Sequence, residues 1–88
     1  MKTIWKFPVR PEDYFEVPMP ARAEVISVQL QRGEPVMWAV VDTSESTVLR
    51  RFAVRGTGHE LYGDEGRFIG TWQMPDLGLV FHLFEVIR

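Results

Sequence analysis

The chain has 88 residues, a 45% hydrophobic fraction and 25% charged residues, which together describe one folded domain, residues 1–88, and exclude a disordered tail or a multidomain enzyme. A net charge of −2 and a pI near 5.6 exclude the broad basic face of a duplex nucleic-acid binder. The lack of cysteine removes disulfides, thiolate chemistry and Cys-based zinc sites.

In chain order, alternation with period two and β-branched or aromatic residues favour strands. At the amino end, Lys2 and Lys6 bracket Thr3, Ile4 and Trp5. The segment therefore lacks the apolar run of a signal peptide or membrane span, and a cytoplasmic protein is expected. Thr3 to Val9 reads as a first strand, and Phe15 to Val17 as a short extension after the Arg10-Pro11-Glu12-Asp13 turn. Pro8, Pro11, Pro18 and Pro20 cannot donate to a ladder, so this part belongs at an edge or in a connection.

Glu24 to Gln31 alternates, with Ile26, Val28 and Leu30 on one face and Ser27, Gln29 and Gln31 on the other. Arg32-Gly33-Glu34-Pro35 supplies a hairpin turn. Val36 to Val41 is nearly continuous apolar sequence, as in a strand covered on both sides. A polar loop, residues 42–46, precedes the strand Thr47 to Arg55; an acidic connection, residues 60–66, leads to Arg67 to Met74; Pro75-Asp76-Leu77-Gly78 then turns the chain into Leu79 to Val86. The expected fold is all-β: a single small antiparallel sheet, sandwich or partly open barrel of about six strands.

The run Arg50-Arg51-Phe52-Ala53-Val54-Arg55-Gly56-Thr57-Gly58-His59 carries three arginines and no acid and empties into a glycine-flanked turn. Arginine forks match phosphate oxygens in pairs, and glycine permits backbone amides to converge on an anion. Alternation puts Arg51 and Arg55 on one face with Leu49 and Ala53, about 13 Å apart along the strand, a span suited to separated phosphates. The competing reading is an edge strand defended by charge. Thr57 and His59 add side-chain donors, although Gly-Thr-Gly is also a common turn string and lacks the lysine of a P-loop.

His82 shares a face with Val80 and Phe84 and reads as a half-buried, hydrogen-bonded ring. Neither histidine has a second ligand at metal spacing, so no metal or other cofactor is expected. The Ser/Thr-rich loop 43–47 has no histidine near it in sequence, and the adjacent pairs Glu12/Asp13 and Asp64/Glu65 read as surface loop charge, so no catalytic residues are assigned. Three Trp, six Phe and two Tyr exceed what six short strands need internally, which leaves some rings for an interface or for stacking on a flat ligand.

Met1-Lys2-Thr3-Ile4-Trp5-Lys6-Phe7, Glu16-Val17-Pro18-Met19-Pro20, Ser27-Val28-Gln29-Leu30-Gln31, Trp38-Ala39, Gly56-Thr57-Gly58-His59, Gly70-Thr71-Trp72-Gln73 and Val80-Phe81-His82-Leu83-Phe84-Glu85 carry, in that order, a resemblance across nearly the whole chain to a family of small phage-encoded domains. That family is in turn similar to the anti-CBASS sponge proteins with which phages sequester cyclic dinucleotide alarm signals. The resemblance implies a homo-oligomer, dimer or tetramer, that binds a cyclic dinucleotide or related nucleotide signal without turnover in the cytoplasm of an infected bacterial host. It implies no membrane partner. In this reading Arg51, Arg55, Thr57 and His59 hold phosphates, while Gln29, Thr71, Gln73 and His82 offer polar contacts to base or sugar. A twofold interface would present each donor twice to a ligand of matching symmetry. The alternative is a β-rich protein-interaction module or an inhibitor of a host protein. If both arginines serve only the ligand, exchanging Arg51 and Arg55 for alanine abolishes capture and leaves the fold intact.

Overall fold

The computed structural model describes residues 1–87. Seven strands form: β1 (Lys2–Pro8), β2 (Tyr14–Pro20), β3 (Glu24–Gln31), β4 (Glu34–Asp42), β5 (Thr47–Gly56), β6 (Arg67–Met74) and β7 (Leu79–Glu85), with one 3-10 turn at Pro75–Leu77. They make two antiparallel sheets, β1-β4-β3 and β2-β5-β7-β6. The all-β expectation is borne out in its sandwich form. The segment read as a three-residue extension is a full strand of seven, and the strands that carry Pro8, Pro18 and Pro20 are both edges, β1 of one sheet and β2 of the other.

The sheets pack face to face and meet along β3 and β6, which contact each other without ladder bonds. At this seam Gly70 leaves room for Val28, whose Cγ1 would lie 2.8 Å from any Cβ added there. The core between the sheets holds Phe15, Met19, Met37, Val41, Phe52 and Leu83 among others, each buried. Removing such side chains from water supplies most of the stabilisation, at about 25 cal/mol per Å² of apolar surface.

Two local departures from plain alternation matter. A bulge between Val25 and Ser27 shifts the register of β3, so Val25 and Val28 face the core and Ile26 is 48% exposed. Of the three residues expected on one face, Val28 and Leu30 pack against the core and Ile26 does not, because one extra residue reverses the faces on one side of a bulge. A second bulge lies between Phe68 and Gly70 in β6. β4 is the central strand of its sheet, but its second face, with Trp38 and Val40, is only half-buried, so the expectation of cover on both sides is met in part.

β5 is not an edge: it lies between β2 and β7. The edge-defence reading of its arginines therefore fails. Among the described residues no helix is long and apolar enough to cross a membrane.

Candidate functional site

Cross-strand register assembles the site on the outer face of the four-stranded sheet. Arg55 lies opposite His82, and His82 opposite Thr71, so the three form one row across β5, β7 and β6. Directly paired residues share a face, and Arg51, four residues from Arg55 on β5, lies on the same one. The face-sharing read from alternation thus holds.

Arg55 is nevertheless only 3% exposed. The acidic connection folds back over the sheet and covers it. Its Nε donates to Glu65 Oε2 at 3.1 Å, Nη1 to the carbonyls of Asp13 and Val54 at 2.9 and 3.0 Å, and Nη2 to Tyr14 Oη at 2.8 Å. Its guanidinium is also 5.2 Å from the Tyr62 ring. Glu65 is buried as well, and accepts from the amides of Tyr62 and Gly63 at 2.7 and 3.0 Å. The expectation that Arg55 offers a free fork to phosphate is corrected: internal partners occupy it. So is the reading of Asp64 and Glu65 as loose surface charge, since Asp64 accepts from Tyr14 at 2.8 Å and Glu65 pairs with Arg55.

These contacts perturb the groups that make them. The Tyr62 amide first, then other loop amides and Arg55, outweigh burial and hold the Glu65 carboxyl below its ordinary value. Burial works against the charged form of Arg55, but its bonds to Tyr14 and Glu65 prevail and raise it. The Asp64 bond and burial together raise the Tyr14 hydroxyl, against the opposing pull of Arg55.

Arg50 bonds Glu85 through Nε and, at 3.0 Å, through Nη2, on the inward side of the strand. Of the three arginines, only Arg51 makes no ion pair among the described residues; its guanidinium lies 4.5 Å from the Tyr14 ring centre.

His82 is the hub of the row. Its Nε2 lies 2.9 Å from Thr57 Oγ1, and its Nδ1 lies 2.8 Å from Thr71 Oγ1. Both hydroxyls are exposed. In a neutral imidazole one nitrogen accepts and the other donates, so one threonine spends its proton on the ring while the other keeps its proton for an outside acceptor. A doubly protonated ring donates to both, and then both hydroxyl protons point outward.

Beside this row, a cleft of about 260 Å³ is lined by Arg55, Thr57, His59, His82, Leu61 and Phe84, among others. His59 folds back on Gly56, where any Cβ would stand 2.8–3.3 Å from ring atoms; only glycine permits that approach. The turn is not an open nest of amides, because Thr57 N–H donates to Val80 O and His59 N–H to Gly56 O, both at 3.0 Å. Thr57, His59 and His82 thus come together as the cleft wall, with Thr71 bonded to His82. Gln73 is exposed on β6, and Gln29 lies on β3 in the other sheet, apart from the row.

The entire chain, residues 1–88, matches the family model described as a domain of unknown function, DUF7352. This chain belongs to the DUF7352 family. No curated protein and no solved structure matches it. The family membership extends over all seven strands, so the histidine row, the glycine turn and the loop that covers Arg55 all fall within the DUF7352 domain.

Tyr14, Glu65 and Asp64 are the residues of this region that sequence reading passed over. Tyr14 stood just outside the segment read as a strand, and Glu65 meets Arg55 only through the tertiary fold of its loop. The one available signal was charge balance: three arginines in a single strand require acids from elsewhere if any of them is buried.

Proposed function

We propose that this DUF7352 protein is a non-catalytic capture module for a small phosphorylated ligand of the nucleotide class, held at the Thr57–His82–Thr71 row. It is the role that the resemblance to phage sponge proteins implies, namely sequestration of a cyclic dinucleotide or related immune signal by a homo-oligomer in an infected host. The observation that carries the reading is the histidine bridged by two exposed hydroxyls. It is a donor array whose protons turn outward when an anion arrives, flanked by the apolar walls Phe84 and Leu61. Arg51, on the same sheet face and without a carboxylate partner among the described residues, adds a second cationic contact.

The test is a panel of cyclic and linear nucleotides read by thermal shift, followed by heating and re-extraction. Capture predicts a raised melting temperature, intact ligand on release, and loss of the shift in Thr57→Val and Arg51→Ala variants. A panel without any shift, or release of degraded nucleotide, overturns it. Native mass spectrometry of the same samples reads the subunit count.

A second reading, a protein-interaction module, draws on the free β1 edge, where Ile4 and Trp5 are 54% and 43% exposed. It predicts a stable complex with a host protein whose formation Trp5→Ser abolishes, and indifference to every nucleotide.

A further inference from the structure

Every second residue of β4 points away from the core, since Met37, Ala39 and Val41 are buried inside the sandwich. The outer face of that sheet therefore takes Val36, Trp38 and Val40, where a sheet with one wet side carries polar side chains. Cross-strand register adds Ile4, opposite Val40 and 54% exposed. The bulge in β3 turns Ile26 outward as well, 48% exposed. Lys6 reaches over β4 to Gln31, its Nζ donating to Oε1 at 2.6 Å, and so shields Val36, which is buried. Ile4, Ile26 and the half-buried Trp38 and Val40 still face water.

We infer that this face is covered by the same face of a second copy of the chain, in a twofold dimer stacked sheet on sheet. The charges around the apolar centre select that occupant and its orientation. On the outer face Lys2, Ile4 and Lys6 form the β1 column, and Glu24 begins the β3 column on the far side of β4. Lys2, Lys6 and Glu24 make no ion pair among the described residues. A twofold axis running along β4 lays β1 of each copy over β3 of the other. Glu24 shares its row with Val40 and Ile4, so it then falls over Ile4 of the other copy, between Lys2 and Lys6, and the contact is made twice. Trp38 and Val40 lie on the axis and meet their own copies, which takes the apolar centre out of water. Asp42, at the end of β4, is already answered within its own chain by the amino terminus at 3.3 Å and by Ser44.

Other twofold placements fail on the same charges. An axis across the strands sets β1 over β1, and edge pairing of two β1 strands centred on Ile4 sets Lys2 opposite Lys6; both bring lysines together. Three strands of seven to nine residues give a footprint of roughly 15 by 25 Å, less than the roughly 800 Å² per partner of a standard interface, so the dimer is weak and concentration-dependent. The Thr57–His82–Thr71 row is on the outer face of the other sheet, so the two rows of the dimer point away from each other and the pairing leaves both open. The inference goes beyond the capture reading and stands without it.

Sedimentation velocity over a concentration series provides the test, and a monomer–dimer equilibrium with the dimer dominant by about 100 μM is expected. Ile4→Glu puts a charge into the apolar centre at an exposed position and weakens pairing roughly tenfold or more, with the fold unchanged by circular dichroism. Should that variant fail to fold, Ile26→Glu reports instead. A Glu24→Lys chain and a Lys2→Glu/Lys6→Glu chain are each expected to be monomeric alone and to form a heterodimer when mixed. Carbodiimide treatment of the native protein is expected to join Lys2 or Lys6 of one copy to Glu24 of the other in the band of dimer mass. A monomer at every concentration up to about 1 mM, whether or not a different protein covers the face, overturns the inference. So does a dimer that Ile4→Glu and Glu24→Lys both leave unchanged, or one whose cross-links join other residues only. A dimer broken by Ile4→Glu but indifferent to Glu24→Lys keeps the face and overturns the axis along β4.

Discussion

Arg55 shows how a single side chain can be read correctly by position and wrongly by purpose. Alternation places it on the outer face of its sheet, where the structure has it, yet the loop from β5 to β6 covers that face and turns the guanidinium into an anchor. Removing it strands Glu65, so Arg55→Ala is expected to lower the melting temperature by roughly 10 °C or more, whereas Arg51→Ala, at a half-buried side chain with no ion pair among the described residues, shifts it by a few degrees at most. The double alanine exchange that seemed clean from sequence therefore confounds binding with folding. Glu65 also makes the anchor sensitive to acid. Its folded value lies below the ordinary 4.5, so its contribution is complete above that value and is lost as pH falls through the depressed one. Detachment of the loop on acidification should be visible as a change in Tyr62 and Tyr14 signals by NMR before global unfolding. Nothing in the local sequence discloses this pair, because two charges ten residues apart across an irregular loop follow no periodicity.

Among the elements, the β3–β4 hairpin is the most legible. Its two-residue turn is Arg32-Gly33, with φ of 53° and 81°, the left-handed pair that matches the twist of the flanking strands. Gly33 suits it and Arg32 does not. Arg32→Asn should stabilise the protein by about 0.5–1 kcal/mol in urea titration, since asparagine tolerates the left-handed region better. The loop between β4 and β5 is held by Asp42, which accepts from the Ser44 hydroxyl at 2.7 Å and the Ser44 amide at 3.0 Å. Those two bonds, and the amino terminus beside it, lower the Asp42 carboxyl to about 2. The stabilisation it provides is full above about pH 4 and is lost as pH falls through 2, a window that carboxyl titration by NMR would display, and one that Ser44→Ala narrows. The bulge in β3 escaped detection because Val25 and Ile26 are both β-branched apolar residues; either can face the core, and only the packing of Val28 against Gly70 settles the register.

At the scale of the molecule, strand count and antiparallel pairing were nearly legible from hydrophobic alternation and turn residues, and the division into two sheets was not. Which strands share a sheet is decided by long-range pairing, and Lys2 opposite Asp42 or Tyr14 opposite Ala53 leaves no trace in either local segment. The site suffered similarly. Thr57, His59 and His82 were within reach of residue chemistry, but the cavity at Trp72 depends on five separate chain segments meeting at one end of the sandwich. The edge strands β1, β3, β2 and β6 each have one partner strand, so amide exchange should be faster there than in β4, β5 and β7. The same layout dictates an order of assembly. Only β3–β4 and β6–β7 join neighbours through short turns; β1, β2 and the β5–β7 pairing must each close a loop of about 25 residues. A nascent chain emerging from the ribosome therefore exposes its first twenty residues, Trp5 and Phe15 included, until β4 and β5 have been made, and its commitment to the native state is governed by those late closures rather than by any early hairpin.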